Sequence, residues 1–362
     1  MNQKKIAFVG LDDGNYDSKV YVKKFDSNNN LIESINFSIP SRIAYGEIII
    51  SNGMHGVGNN GSIYYHNDIS YTIIDKDDKS IYSDIVDLRS IEYPLSIENV
   101  IIAKHVLKMA GLDESYDVYL VTGLPYREYF NGKAQKNEEI IRAKKESFKR
   151  MNQIMCKDET ATSPNIVSHE IMAEGVGAYL NSVIDDTGGD SDNLITQELT
   201  TSPVSFVDIG GRTLDVVTFT QQGQNLINNF SNTHNLGILD LNEQIGAEIK
   251  EVFGLKHIIP NKIESAIRSG TYTAKGQVLD VSEIIHQKKM IFAKRLEMEV
   301  KKILKDAENI GLIVFVGGGS ILLKDCLQDI YENSFFVDNP QFANAHGFLK
   351  ASMFMFPNAI FN

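Results

Sequence analysis

Apolar residues along this chain alternate between short runs and 3.6-residue spacings. Ile6-Ala7-Phe8-Val9-Gly10-Leu11 is an apolar run that stops at the turn residues Asp12-Asp13-Gly14-Asn15. A second run, 20–25, follows, and 31–37 comes after the polar Asn28-Asn29-Asn30. Strand, Asp/Gly turn and strand predict a hairpin. Residues 45–95 are polar and turn-rich, with strands predicted at 62–66 and 70–74, and read as a small inserted subdomain. Residues 97–110 have helical spacing, with Ser96 as cap and Gly111 as stop. A buried strand is predicted at 118–122 and a basic helix at 138–150, whose charges belong on a solvated face. Residues 168–182 read as a helix, because Met172, Val176 and Leu180 recur every four positions.

The acidic, glycine-rich stretch 184–203 reads as a linker and the main domain boundary. Beyond it the opening pattern recurs. A strand at 204–207 meets Asp208-Ile209-Gly210-Gly211-Arg212-Thr213, and a return strand covers 214–220. Helices are predicted at 241–253, with Asp240 and Glu243 as a capping pair and Gly254 as stop, and at 288–305. A buried strand at 312–316 runs into Gly317-Gly318-Gly319-Ser320 and a helix from Ile321. Asn339-Pro340 opens the last helix. The expected organisation is α/β. Residues 1–183, with a small subdomain at about 40–95, are completed by 339–362; residues 200–338 carry a second small subdomain at about 255–288.

The chain has 362 residues, 43% of them hydrophobic, which is enough for two real cores. Its formal charge, 35 − 47 = −12, argues against a surface that grips nucleic acid as a whole, so any DNA link is local or runs through a partner. Cys156 and Cys326 make no disulfide framework and have no metal-type spacing, which fits a reducing cytoplasm. No apolar stretch approaches the roughly 18 residues of a membrane span. The apolar segment 348–356 is expected to pack as a helix.

The internal echo carries the chemistry. Phe8-Val9-Gly10-Leu11-Asp12-Asp13-Gly14 and Phe206-Val207-Asp208-Ile209-Gly210-Gly211 share one layout: apolar strand, Asp at its end, glycine at the bend, return strand. Glycine lets backbone N–H groups approach an anion. An Asp beside such a bend repels phosphate but can hold a divalent metal that bridges phosphates, usually through water for Mg²⁺. Two such bends from separate domains are expected to clamp one metal-bound polyphosphate. Lys19, on the first return strand, is placed to aim its ammonium at it.

These segments resemble the first phosphate loop, the second phosphate loop and the adenosine motif of the actin, chaperone and sugar-kinase ATPase superfamily. Within it the chain resembles the ParM (StbA) plasmid-segregation bacterial actins. Thr122-Gly123-Leu124-Pro125-Tyr126-Arg127-Glu128-Tyr129-Phe130 resembles that family's leucine–proline–x–x–glutamate–tyrosine loop, and Asn137-Glu138-Glu139 through Arg150 resembles the basic helix after it. The resemblance implies an actin-like ATPase fold, with two ribonuclease-H-like domains around a nucleotide cleft. It also implies filaments that assemble on ATP or GTP with Mg²⁺ and are destabilised by hydrolysis. The implied cargo is plasmid DNA held by a basic DNA-binding adaptor of ParR type, with no membrane partner. By position, Asp12 and Asp208 would hold the metal. Asp13, Gly14, Asn15, Lys19, Gly210, Gly211 and Thr213 would surround the phosphates, and Gly317, Gly318, Gly319 and Ser320 would carry the nucleoside; Arg212, in the same loop, could reach a γ-phosphate, form an interdomain ion pair or point to solvent. Glu170 falls where the family places its water-activating carboxylate, at the start of the predicted 168–182 helix, where the dipole would stabilise it. His169, His346 and Cys326 read as structural. The competing reading is a non-polymerising phosphotransferase of the same superfamily, akin to a sugar or acetate kinase.

Overall fold

A computed structural model describes residues 4–48, 62–74, 85–90, 92–158, 162–305 and 307–361. The chain divides into two compact units. The first comprises the described residues up to Thr196 together with those from Phe342 onward; the second is Gln197–Gln341.

In the first unit, β1 (Lys5–Asp13), β2 (Asp17–Phe25) and β3 (Leu31–Pro40) form an antiparallel meander. Strands β7 (Tyr116–Leu124) and β9 (Asn165–Ala173) add in parallel on the other side of β1, giving the order β3-β2-β1-β7-β9. A smaller sheet holds β4 (Ile43–Tyr45), β6 (Ile69–Ile73) and β5 (Ile63–His66) of the predicted insertion, joined by β8 (Met155–Cys156) from outside it. The insertion's residues 49–61, 75–84 and 91 lie outside the described residues.

Period-two alternation sorts β1. Ala7, Val9 and Leu11 join a core with α1 (Ile97–Met109), while Phe8 packs on the opposite face with Leu349. That second face receives α4 (Val176–Val183) and α10 (Ala343–Met355). Glycine makes the approach possible: a Cβ on Gly10 would lie 2.1 Å from the Ala345 carbonyl oxygen, and one on Gly347 would lie 1.7 Å from that of Gly177. The apolar segment is helical to Met355 and packs through its first part, with Phe348 fully buried and contributing about 2 kcal/mol, while Phe354 is exposed. The unit also contains α2 (Tyr126–Tyr129), α3 (Glu138–Lys149) and α11 (Asn358–Phe361).

The second unit repeats the plan. Strands β10 (Val204–Ile209), β11 (Leu214–Phe219) and β12 (Asn232–His234) are antiparallel. Parallel β15 (Leu312–Val316) and β16 (Ser334–Phe336) complete the order β12-β11-β10-β15-β16. Helices α6 (Ile238–Val252), α7 (Pro260–Ser269), α8 (Ser282–Leu304) and α9 (Gly318–Leu327) accompany it, with a hairpin of β13 (Thr271–Ala274) and β14 (Gln277–Asp280).

Several local expectations are corrected. Residues 168–173 are not helical: they pair with β7, and the helix starts only at Val176. Gly175, at φ 79°, breaks the chain between the two, so the four-residue spacing spans a turn. The 184–203 segment is not a plain linker, because Asn193 caps α5 (Leu194–Leu199) by accepting from the N–H groups of Ile195 and Thr196. Helix α6 starts three residues early. Gly237 is its cap, and Asp240 sits in the first turn, accepting from the Gly237 N–H at 2.9 Å. Helix α8 begins at Ser282 rather than 288, and α9 begins inside the glycines rather than at Ile321. Pro340 opens a 3₁₀ turn ahead of α10.

Candidate nucleotide-binding loops

In the first unit, Asp12 and Asp13 end β1 opposite Lys19 and Ser18 of β2. Both carboxylates are buried. Lys19 Nζ lies 3.4 Å from Asp12 Oδ2. Burial pushes the Asp12 carboxyl above the usual carboxylate range, Lys19 opposes the shift, and Asp13 adds to it. Asp13 is engaged otherwise. Lys144 of α3 reaches its Oδ2 at 2.8 Å and its Oδ1 at 3.0 Å, and Asn99 of α1 donates to Oδ2 at 2.9 Å. In the bend, Ser41 donates to the Gly14 carbonyl at 2.6 Å and Asn15 donates to the Leu88 carbonyl.

Glu170 lies on β9 beside Val121 of β7, at neither helix terminus, so the dipole argument does not apply to it. Its carboxylate pairs with Lys145 of α3 at 2.7 Å, and both side chains are about a third exposed, at 38% and 33%. His169 is half-buried: Thr122 Oγ1 is 3.0 Å from its Nε2 and Phe148 packs on its ring. Burial, with Lys144 and Lys145 nearby, holds its pKa well below the usual histidine value. His346 stacks on Tyr21 with ring centroids 4.2 Å apart, which fits the structural role expected of both histidines.

In the second unit, Asp208 sits one residue before the end of β10, beside Val316 of β15 and opposite Asp215 of β11. The bend closes through Gly210 N–H donating to the Thr213 carbonyl at 2.9 Å. Helix α6 is seated on it, since Ile238 N–H donates to the Gly210 carbonyl at 3.1 Å and Leu239 N–H to that of Gly211 at 2.9 Å. Arg212 is half-buried and Thr213 buried. Gly317, at φ 82° and ψ 163°, occupies a region open essentially only to glycine. A Cβ there would fall 2.1 Å from Asp208 Oδ1, and one on Gly319 would fall 2.3 Å from Ile209 Cγ2. Ser320 is buried, its Oγ donating to the Gly317 carbonyl at 2.7 Å. Gly318 is exposed at the first turn of α9, with no neighbour closer than Gln341 Cβ at 4.0 Å. An exposed, side-chain-free helix start of this kind accepts a polar ligand against its backbone.

The structure thus brings Asp12, Asp13, Gly14, Asn15 and Lys19 together in one bend, and Asp208, Gly210, Gly211, Thr213 and Gly317 through Ser320 in another. Sequence reasoning missed Asn99, Lys144 and Asp215. Asp215 was findable, because it mirrors Asp208 across the bend in period two. It is buried and accepts a hydrogen bond from Thr233 Oγ1. Among the described residues no three acidic, histidine or cysteine side chains converge into a metal cage. Magnesium seldom uses one: it takes one or two carboxylates plus phosphate oxygens and water. Hard-oxygen donors at Asp12 and Asp208 fit that demand.

A repeated Asp-ended hairpin flanked by a parallel strand, in each of two units, defines the actin-like ATPase fold. Solved structures bear this out. The archaeal actin homologue Ta0583 matches with a TM-score of 0.71 at 18% identity, over 96% of this chain and 99% of that one. The ParM of a 15-stranded Clostridium botulinum filament matches with 0.70 at 17%, over 97% and 99%. Bacillus thuringiensis ParM with AMPPNP matches with 0.61 at 17%, over 97% and 99%. The family model of the N-terminal part of the plasmid segregation protein ParM matches residues 57–185, and that of the C-terminal part of archaeal MreB-like actin homologues matches 206–329. No match was found among curated proteins. The chain therefore has an actin-like fold, with an N-terminal part similar to that of ParM and a C-terminal part similar to that of MreB-like actin homologues.

Proposed function

We propose that this protein binds ATP or GTP with Mg²⁺, assembles into filaments in the cytoplasm, and hydrolyses the nucleotide to disassemble them, moving plasmid DNA through a basic adaptor. The observation that carries this reading is the duplicated Asp-ended bend, with Asp208 packed on Gly317 beside the open start of α9. Relatives in solved structures support it: one is a filament, and one carries AMPPNP. The adaptor follows from the charge of −12, since DNA affinity comes largely from neutralised phosphates.

In this reading Asp12 and Asp208 would each offer a hard oxygen donor to magnesium, which would neutralise phosphate charge. Lys19 adds a point charge, the Gly14–Asn15 and Gly210–Thr213 segments present N–H groups, and Gly318–Gly319 let the nucleoside approach the backbone. Arg212 faces the phosphates. Glu170 orients the attacking water, and its ion pair with Lys145 aims the carboxylate. Positioning and charge neutralisation dominate such phosphoryl transfer.

Pelleting and electron microscopy with ATP or GTP, with Mg²⁺ or EDTA, test the reading. Filaments that need both nucleotide and metal are expected. A chain that stays monomeric well above micromolar concentration removes the filament claim, and phosphoryl transfer to a sugar would favour the phosphotransferase instead. Glu170→Ala is expected to slow phosphate release about a hundredfold with nucleotide still bound. Asp208→Ala is expected to weaken Mg–nucleotide binding about tenfold or more.

A further inference from the structure

The run of basic residues on α3 reads in sequence as a solvated face, and for most of it that holds. Lys149 is 70% exposed and Lys145 is 33% exposed, whereas the Lys144 side chain is 2% exposed. Its ammonium has three protons and three acceptors: both oxygens of Asp13 and the carbonyl of Gly123, near the end of β7. Asn99 of α1 holds Asp13 from another side. One lysine therefore ties the ends of β1 and β7 to α3 at the residue where the chain leaves β1 for the bend.

A buried ion pair adds little stability over a well-packed apolar pair of the same volume. What it adds is direction, since ammonium and carboxylate fix angle and register where methyl groups would slide. We infer that Lys144 is a positioning residue for the first phosphate loop, setting where Gly14, Asn15 and the neighbouring Asp12 stand by gripping Asp13. Lys144 touches no nucleotide in this role. The inference rests on the nucleotide-binding reading above, and it assigns Asp13 to holding the loop rather than to contact with phosphate.

The test uses the full chain. Lys144→Met removes the charge at similar length. Should it fail to fold, Asp13→Asn with Lys144→Met removes both charges and leaves no lone buried carboxylate. Two quantities are read well below the melting temperature: affinity for a fluorescent ATP analogue with Mg²⁺, and amide hydrogen exchange in nucleotide-free protein. We expect affinity to fall about tenfold or more. We expect exchange at residues 14–17 to rise about tenfold, with the β1 and β7 ladder unchanged. A purely structural lysine would lower the melting temperature and move neither. Affinity within about threefold of wild type in a folded variant, or an unchanged bend, overturns the inference. A wild type that binds no nucleotide overturns the proposed function instead, and hydrogen exchange alone then decides whether Lys144 holds the bend.

Discussion

At the end of β1, Asp12 and Asp13 face the ammonium groups of Lys19 and Lys144; at the end of β10, Asp208 lies against the bare Cα of Gly317. The layout is duplicated but the means of holding it are not. The first bend is built from side chains on four elements, β1, β2, α1 and α3. The second is built from backbone: α6 donates to the carbonyls of Gly210 and Gly211, and Gly317 and Gly319 admit β10 at close range. A bend held by charge answers to proton and salt concentration. A bend held by backbone contact answers to volume.

Three measurements break or sharpen this contrast. The largest effect is expected from Gly317→Ala, which combines a forbidden backbone region with a Cβ driven into Asp208 and should cost about 3 kcal/mol or more. Denaturant unfolding checks it, and a cost below about 1 kcal/mol would show that the second bend yields as side chains do. Next comes acid. The first unit holds two half-buried histidines with depressed pKa values, His169 and His346, and desolvation with the Lys350 ammonium pushes His346 down to about 4. The unfolded chain takes up these protons near pH 6.5, so His346 contributes its full stability above that value. The contribution drains as pH falls towards 4 and is constant below. That amounts to about 3 kcal/mol. Calorimetry between pH 7 and 4 should show the first unit weakening ahead of the second, and His346→Gln should flatten the slope. The smallest effects are expected from Gly14→Ala and Gly210→Ala. A Cβ at these sites would meet a carbonyl oxygen at 3.0 and 3.1 Å, so each should cost about 1 kcal/mol, and the two should match. A large difference would mean the bends are unlike even in their turns.

Much of this was legible in the sequence, for identifiable reasons. The two hairpins, α1 with its Ser96 cap, β15 and the packed C-terminal helix followed from period and cap residues, which act locally. The Asp and glycine positions of both bends were visible as an echo. What failed depended on distant partners. Residues 168–173 look helical until β7 offers them a ladder, and Lys144 looks like its exposed neighbours until the fold brings Asp13 to it from 131 positions away. Periodicity does not encode such encounters. Asp215 was readable through alternation, since it repeats Asp208 on the return strand.

The seam between β1 and α10 bears on how the protein is made. The helix that covers Phe8 and Gly10 begins only at Ala343, so it is synthesised long after them. Among the described residues the second unit is one continuous stretch of chain, and it can close on itself while the ribosome is still adding residues. The outer face of β1 stays wet throughout that interval, so the earlier-born unit is the later one to finish.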